Sequence, residues 1–130
     1  MALNIDNGLE LYHSKHSTCS QKVRLVLAEK KLEFLSHPIN LANNEHLTQE
    51  YLALNPNGVV PTLLHHGEVI TDSSVIIEYL DEVFPGPSLT PNNPIIRAKM
   101  RAWMRYLEEV PTIAIRYPTF QKILINNFKN

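Results

Sequence analysis

The sequence predicts a small α/β domain followed by a separate helical segment. Three observations predict it. Short apolar stretches alternate with stretches of helical period from Leu9 to Val83. The last two apolar stretches flank His66-Gly67, which marks a hairpin rather than another crossover. Then PGPSLTPNNP, with four prolines in ten residues from Pro85 to Pro94, interrupts the pattern before helical spacing resumes.

In chain order, LELYH (Leu9 to His13) alternates and reads as a strand. Val23, Val26 and Leu27 follow Cys19 at helical spacing, and Lys30-Lys31 supply basic residues for a last turn. A helix is therefore expected from about Thr18 to Lys31. LEFLSHPINL is compact enough for a second strand. Asn43-Asn44 is expected to cap a helix through EHLTQEYLAL, with Leu47, Tyr51 and Leu54 on one face. NPNG, Asn55 to Gly58, is turn chemistry that stops it. VVPTLLHHGEVITD supplies the hairpin. Asp72-Ser73-Ser74 caps a helix carrying Val75, Ile76, Ile77, Tyr79, Leu80 and Val83. Beyond the linker, RAKMRAWMRYLEEV is helical, with Ile96, Met100, Trp103, Met104 and Leu107 on one side.

Composition narrows the function classes. The chain has 130 residues, 44% hydrophobic, with 12 basic and 13 acidic residues giving a net charge of -1. That is a globular composition, and nothing in the balance favours nucleic acid or an anionic membrane as partner. No apolar run reaches membrane-spanning length. MALNIDNGLE lacks the basic and apolar regions of a secretory signal, so a cytoplasmic protein is expected. One cysteine excludes an intrachain disulfide and a thiolate-rich zinc site. His13 and His16 have H-x-x-H spacing without an acidic third ligand nearby, so no metal is expected.

Four motifs together resemble one family. STCSQKVRLVLAEKKLEF, NNEHLTQEYLALNPNG, VVP and TDSSVIIEYLDEVFP are similar, in order and spacing, to the N-terminal domain of glutathione transferases. The likeness covers Leu9 to Val83, and the helix from Pro94 is similar to the start of that family's helical domain. STC followed by a basic residue and Val resembles phi-class, zeta-like and related serine-type members. The SVI-EYL-FP run and RAWMRYLEEVPT resemble bacterial β-etherase-like members. The fold implied is a thioredoxin-like βαβ-ββα domain followed by the beginning of an all-α domain. Its expected bounds are residues 1–84 for the glutathione-binding domain, 85–91 for the linker, and 92–130 for the first part of a truncated helical domain.

The same resemblance implies residue roles. Ser17 matches the serine that faces the glutathione sulfur, and His46 a group near the glycyl end. Val60 precedes Pro61, which matches the family's cis-proline. Asp72 and Ser73 match the pair that holds the γ-glutamyl end. Glutathione as co-substrate, a small electrophile as second substrate and a homodimer of the full-length form are likewise implied. Two positions depart from the family: Leu47 stands where a basic residue is frequent, and Val59 where a glutamine is.

Each role has a plainer counterpart. Ser17 can be a helix N-cap, with Thr18 or Ser20 able to share the capping work and leave its hydroxyl free to face sulfur. Cys19, four residues before Val23, is expected to face the core as a small apolar group. If it is exposed, it opens glutathione-dependent thiol–disulfide or isomerase chemistry, as in zeta-like Ser-x-Cys members. Pro61 can be an ordinary edge-strand proline. Asp72 and Ser73 are capping residues that can also bind a ligand's charged ends. His65-His66 at the hairpin turn are expected to be exposed, and Tyr12 is expected in core or rim packing. A non-catalytic interaction module of the same fold is the remaining alternative.

Overall fold

The structure, a computed structural model, describes residues 7–124. Expectations for residues 1–6 and 125–130 lie outside the described residues, among them the signal-free N-terminus and the end of the 92–130 segment. The chain forms two compact units, Met1–Pro87 and Ser88–Asn130.

In the first unit, strands β1 (Leu9–His13), β2 (Leu35–Pro38), β3 (Thr62–His65) and β4 (Glu68–Thr71) form one sheet in the order β2-β1-β3-β4. β1 runs parallel to β2, and the β1–β3 and β3–β4 pairs are antiparallel. Helices α1 (Thr18–Glu29), α2 (Gln49–Leu54) and α3 (Ser73–Val83) complete the thioredoxin-like βαβ-ββα order. The alternation in LELYH has its physical meaning here, because Leu9 and Leu11 are fully buried while Glu10 and Tyr12 are not. They join Val23 and Leu27 of α1, Leu63 of β3, and Ile76 and Leu80 of α3 in one core. Each of these side chains contributes roughly 1.5–3 kcal/mol by leaving water.

Three local expectations are corrected. Helix α1 ends at Glu29, and Lys30 caps it instead of pointing to solvent. The Lys30 ammonium turns inward, 3.0 Å from Asp81 of α3, and also donates to the Pro87 carbonyl at 3.3 Å. The helix expected from Asn44 is two short 3-10 turns (Leu41–Asn43 and Glu45–Leu47) and then α2. Asn44 takes a left-handed conformation (φ 57°) that ends the first turn, so Thr48 caps α2 by accepting the Tyr51 N–H. Leu47 therefore lies outside the helix and is 54% exposed. At the hairpin, His66 (φ 51°) and Gly67 (φ 84°) both take positive φ, as a tight two-residue turn requires. His66 is exposed as expected, but His65 is half-buried and its Nδ1 lies 2.6 Å from the Tyr79 hydroxyl.

The second unit is helical as far as it is described. α4 (Pro94–Leu107) opens on Asn93, whose side chain accepts the N–H groups of Ile95 and Ile96. Pro111 has no N–H to give, and the helix widens to π geometry over Glu108–Thr112 before α5 (Ile113–Thr119). Pro118 lies near the end of α5, and a second π turn follows over Phe120–Leu124. No residue of α4 or α5 is buried, and Trp103 and Tyr117 are 65% and 72% exposed.

Candidate functional site

Strand register brings most of the candidate residues to one end of the sheet. Tyr12 of β1 pairs with Thr62 of β3, and Thr62 with Thr71 of β4. Just beyond that row, β1 runs through His13 into the loop that carries Ser17. β3 is preceded by Val60-Pro61, and β4 is followed by Asp72-Ser73. The amino ends of α1 and α3 thus open on the same side, and the Lys22 ammonium donates to the Ser74 hydroxyl at 2.9 Å between them. Residues more than forty positions apart in sequence meet because one antiparallel register sets where each loop begins.

Ser17 is the N-cap of α1, and its hydroxyl oxygen accepts the Ser20 N–H at 3.1 Å. This corrects the expectation that Thr18 or Ser20 could relieve it. Thr18 is exposed, and Ser20 is fully buried with its own hydroxyl accepting the Ser14 N–H at 3.2 Å. Capping and sulfur binding remain compatible, since accepting one hydrogen bond leaves the O–H proton to donate. Half-exposed Ser17 therefore presents a donor whose oxygen is oriented by the helix. Cys19 is half-buried rather than buried, because the inward face of α1 is made by Ser20, Val23 and Leu27.

The Val60-Pro61 peptide is cis. Beneath it lies a polar network that the sequence does not reveal. The Val59 carbonyl accepts from the Tyr51 hydroxyl at 2.6 Å and from Asn55 Nδ2 at 3.1 Å. The same two side chains reach Thr62 Oγ1 at 2.8 and 3.0 Å. Asn55 and Thr62 are fully buried and Tyr51 nearly so. Burial holds the Tyr51 phenol above its ordinary pKa, partly offset by its bonds to Thr62 and Asn55, so it stays a neutral donor. Tyr51 reads in sequence as one apolar position of a helix, and Asn55 as a turn residue. Their four-residue separation, with Asn55 as the C-cap one turn beyond Tyr51, was the only available signal.

Asp72 caps α3 with one carboxylate oxygen, Oδ1, which accepts the N–H groups of Ser74 and Val75. The second oxygen is not part of that cap. Asp72 is exposed and has φ 72°, a conformation uncommon for any residue with a side chain, and the paired cap bonds hold it there. Ser73 beside it is only 5% exposed. His46 lies in the Glu45–Leu47 turn, whose backbone approaches Gly58 so closely that a Cβ there would stand 3.4 Å from the His46 carbonyl. Its Nδ1 is enclosed without a hydrogen-bond partner. Burial lowers the His46 pKa, so the ring is neutral at pH 7 and offers a dipole rather than a cation. The departures at Leu47 and Val59 are both on the surface, 54% and 47% exposed, and neither supplies a polar side chain.

His13 has both ring nitrogens engaged, Nδ1 with Arg24 at 3.0 Å and Nε2 with Ser36 at 2.7 Å. Among the described residues no three His, Cys, Asp or Glu side chains assemble to hold a metal ion. Nor, among them, is any helix long and apolar enough to cross a membrane. Tyr12 stacks on His37 with ring centroids 4.3 Å apart, which is rim packing as expected.

A domain of thioredoxin-like fold with these loops gathered at one sheet end defines a class that comparison with known proteins makes specific. Residues 16–83 match the model of the glutathione S-transferase N-terminal domain. The chain belongs to the glutathione S-transferase family. It is 45% identical over 96 residues to a maleylacetoacetate isomerase of Pseudomonas aeruginosa, covering 72% of this chain and 45% of the relative. The crystal structure of the β-etherase LigF from Sphingobium superimposes with TM-score 0.74 at 40% identity, over 78% of this chain and 43% of that one. A glutathione transferase homologue from Sulfitobacter, solved with bound glutathione, gives TM-score 0.77 at 28% identity over 94% and 57%. The chain spans about half the length of the curated relatives it matches.

Proposed function

We propose that this chain carries the glutathione-binding part of a glutathione transferase, in which Ser17 holds the tripeptide's sulfur as a thiolate. The observation that carries it is the strand register, which gathers three complementary groups at one end of the sheet. The first is a hydroxyl at the amino end of α1. The second is the Val60 backbone beside the doubly held Val59 carbonyl, suited to pair with an extended peptide as an added strand. The third is the amino end of α3, where the free oxygen of Asp72 can meet an ammonium and Ser73 a carboxylate. Neutral His46 is left to donate a hydrogen bond toward the glycyl end.

Magnitudes are adequate. Lowering a thiol from its ordinary pKa of ~8.5 by ~2 units needs about 2.7 kcal/mol of preference for the anion. A hydroxyl donating to a charged partner contributes roughly 1.5–3 kcal/mol, and a helix amino end about 0.3–1 kcal/mol. No general base is required. The thiol proton leaves to solvent, and the thiolate attacks an electrophilic carbon, displacing a leaving group or adding to a double bond.

In the same proposal, residues 1–84 form the glutathione-binding domain, 85–91 the linker, and 92–130 the first part of a helical domain. The full-length form is a homodimer. A second reading is glutathione-dependent isomerisation, which the 45% identity to a maleylacetoacetate isomerase and the Ser17-x-Cys19 pattern favour. Titrating glutathione into the chain while following ultraviolet thiolate absorbance tests the assignment. The transferase mechanism expects a band lost in Ser17→Ala and kept in Cys19→Ala. Loss in Cys19→Ala alone, with a mixed disulfide by mass spectrometry, moves the chemistry to Cys19. Absence of any binding, in the full-length folded protein as well, leaves only a non-catalytic module.

A further inference from the structure

We infer that Arg24 is a positioning residue for Ser17, acting through the backbone of Ser14 and the ring of His13. The inference rests on the assignment of Ser17 above. Arg24 lies in the second turn of α1, and its Nη1 donates to two acceptors at the end of β1: the Ser14 carbonyl at 3.1 Å and His13 Nδ1 at 3.0 Å. The Ser14 carbonyl also accepts the Ser17 N–H at 3.3 Å. From Ser14 the connection closes on itself, since its N–H donates to Ser20 Oγ, and the Ser20 N–H donates to Ser17 Oγ. The Ser17 N–H is therefore tied directly to a residue that Arg24 holds, and its side-chain oxygen is tied to that residue through Ser20.

The chemistry of the donors fixes the direction of every bond. A guanidinium has no lone pair to offer, so His13 Nδ1 must be the acceptor. The proton of the neutral ring is then on Nε2, which donates to Ser36 Oγ of β2 at 2.7 Å. Burial, then the charges of Arg24 and His37, hold the His13 pKa below its ordinary value, which keeps the ring in that acceptor form. His37 is itself 2.7 Å from Glu10, and Phe34 packs edge-on against His13 from the β2 side. Arg24 thus clamps the turn between β1 and α1 from the helix side, while Ser36 braces His13 from the sheet side. Loss of the clamp frees the Ser14 carbonyl to rotate, and with it the Ser17 donor that must meet sulfur within a few tenths of an ångström.

The test compares the pH titration of glutathione's thiol when bound to the wild-type 130-residue chain, Arg24→Gln and Arg24→Lys, each followed by thiolate absorbance. Arg24→Gln is expected to raise the midpoint by about one pH unit, a tenfold loss of thiolate at a pH below it. Its glutathione affinity well below the wild-type midpoint, where the protonated thiol binds, changes less than about threefold, because the other contacts come from β3 and α3. Arg24→Lys, which can keep one of the two bonds, is expected to recover part of the shift. A midpoint at the wild-type value in Arg24→Gln, or in Arg24→Lys should the glutamine variant not fold, overturns the inference while leaving the Ser17 assignment standing. A wild-type chain that binds glutathione with no thiolate band sensitive to Ser17→Ala overturns both.

Discussion

Helices α1 and α4 are alike in length, both start from a side-chain cap, and both carry an apolar stripe, yet the protein uses them differently. α1 presses Ser20, Val23 and Leu27 into a closed core, whereas α4 buries nothing and shows Ile95, Ile96 and Trp103 to solvent. Charge follows the same division. Met1–Pro87 has five basic and eleven acidic residues, and Ser88–Asn130 has seven basic and two acidic, so charges that mix along the whole chain are sorted between its units. Hydrophobic period therefore specifies that a helix forms and which face seeks cover. It does not specify whether cover is present.

Four substitutions sharpen or break that contrast. The largest effect is expected at the ion pair of the first unit. Asp81→Ala leaves the Lys30 ammonium buried without its carboxylate, and should cost about 3–5 kcal/mol by denaturant unfolding. A loss below about 1 kcal/mol would mean that the pair is open to water. Next comes Tyr51→Phe, which strips one of the two donors from the Val59 carbonyl and is expected to cost about 1–3 kcal/mol, with weakened glutathione binding in calorimetry. Retained affinity would dissociate this network from the proposed backbone site. Ser17→Ala should lose about 1 kcal/mol as a capping defect, apart from any effect on the thiolate. Smallest is Trp103→Ala, expected within about 0.5 kcal/mol because so much of the ring is already in water. A large loss there would show that the face of α4 is covered in solution.

Much of the first unit was legible because its signals are local. LELYH alternates, His66-Gly67 makes a tight turn, Asp72 caps, and each stretch declares its state within a few residues. Where an element was misplaced, a local alternative won: Thr48 outcompeted Asn44 as a cap once Asn44 adopted positive φ. The family pattern likewise marks Ser17, His46, Val60, Pro61, Asp72 and Ser73 as candidates from sequence alone. Its neighbours Tyr51, Asn55 and Arg24 carried no such mark.

Residue order alone thus marked most of the strands and helices, the stretch after Asn40 excepted, since backbone propensity, caps and turns act over one or two turns of chain. Only the packed molecule decided that Ser17 keeps its cap, that Lys30 faces Asp81, and that Tyr51 and Asn55 hold the Val59 carbonyl. Those outcomes depend on which distant groups burial forces to find partners. A side chain's local sequence cannot name the partner, because the desolvated donor or acceptor that selects it arrives from another strand or helix.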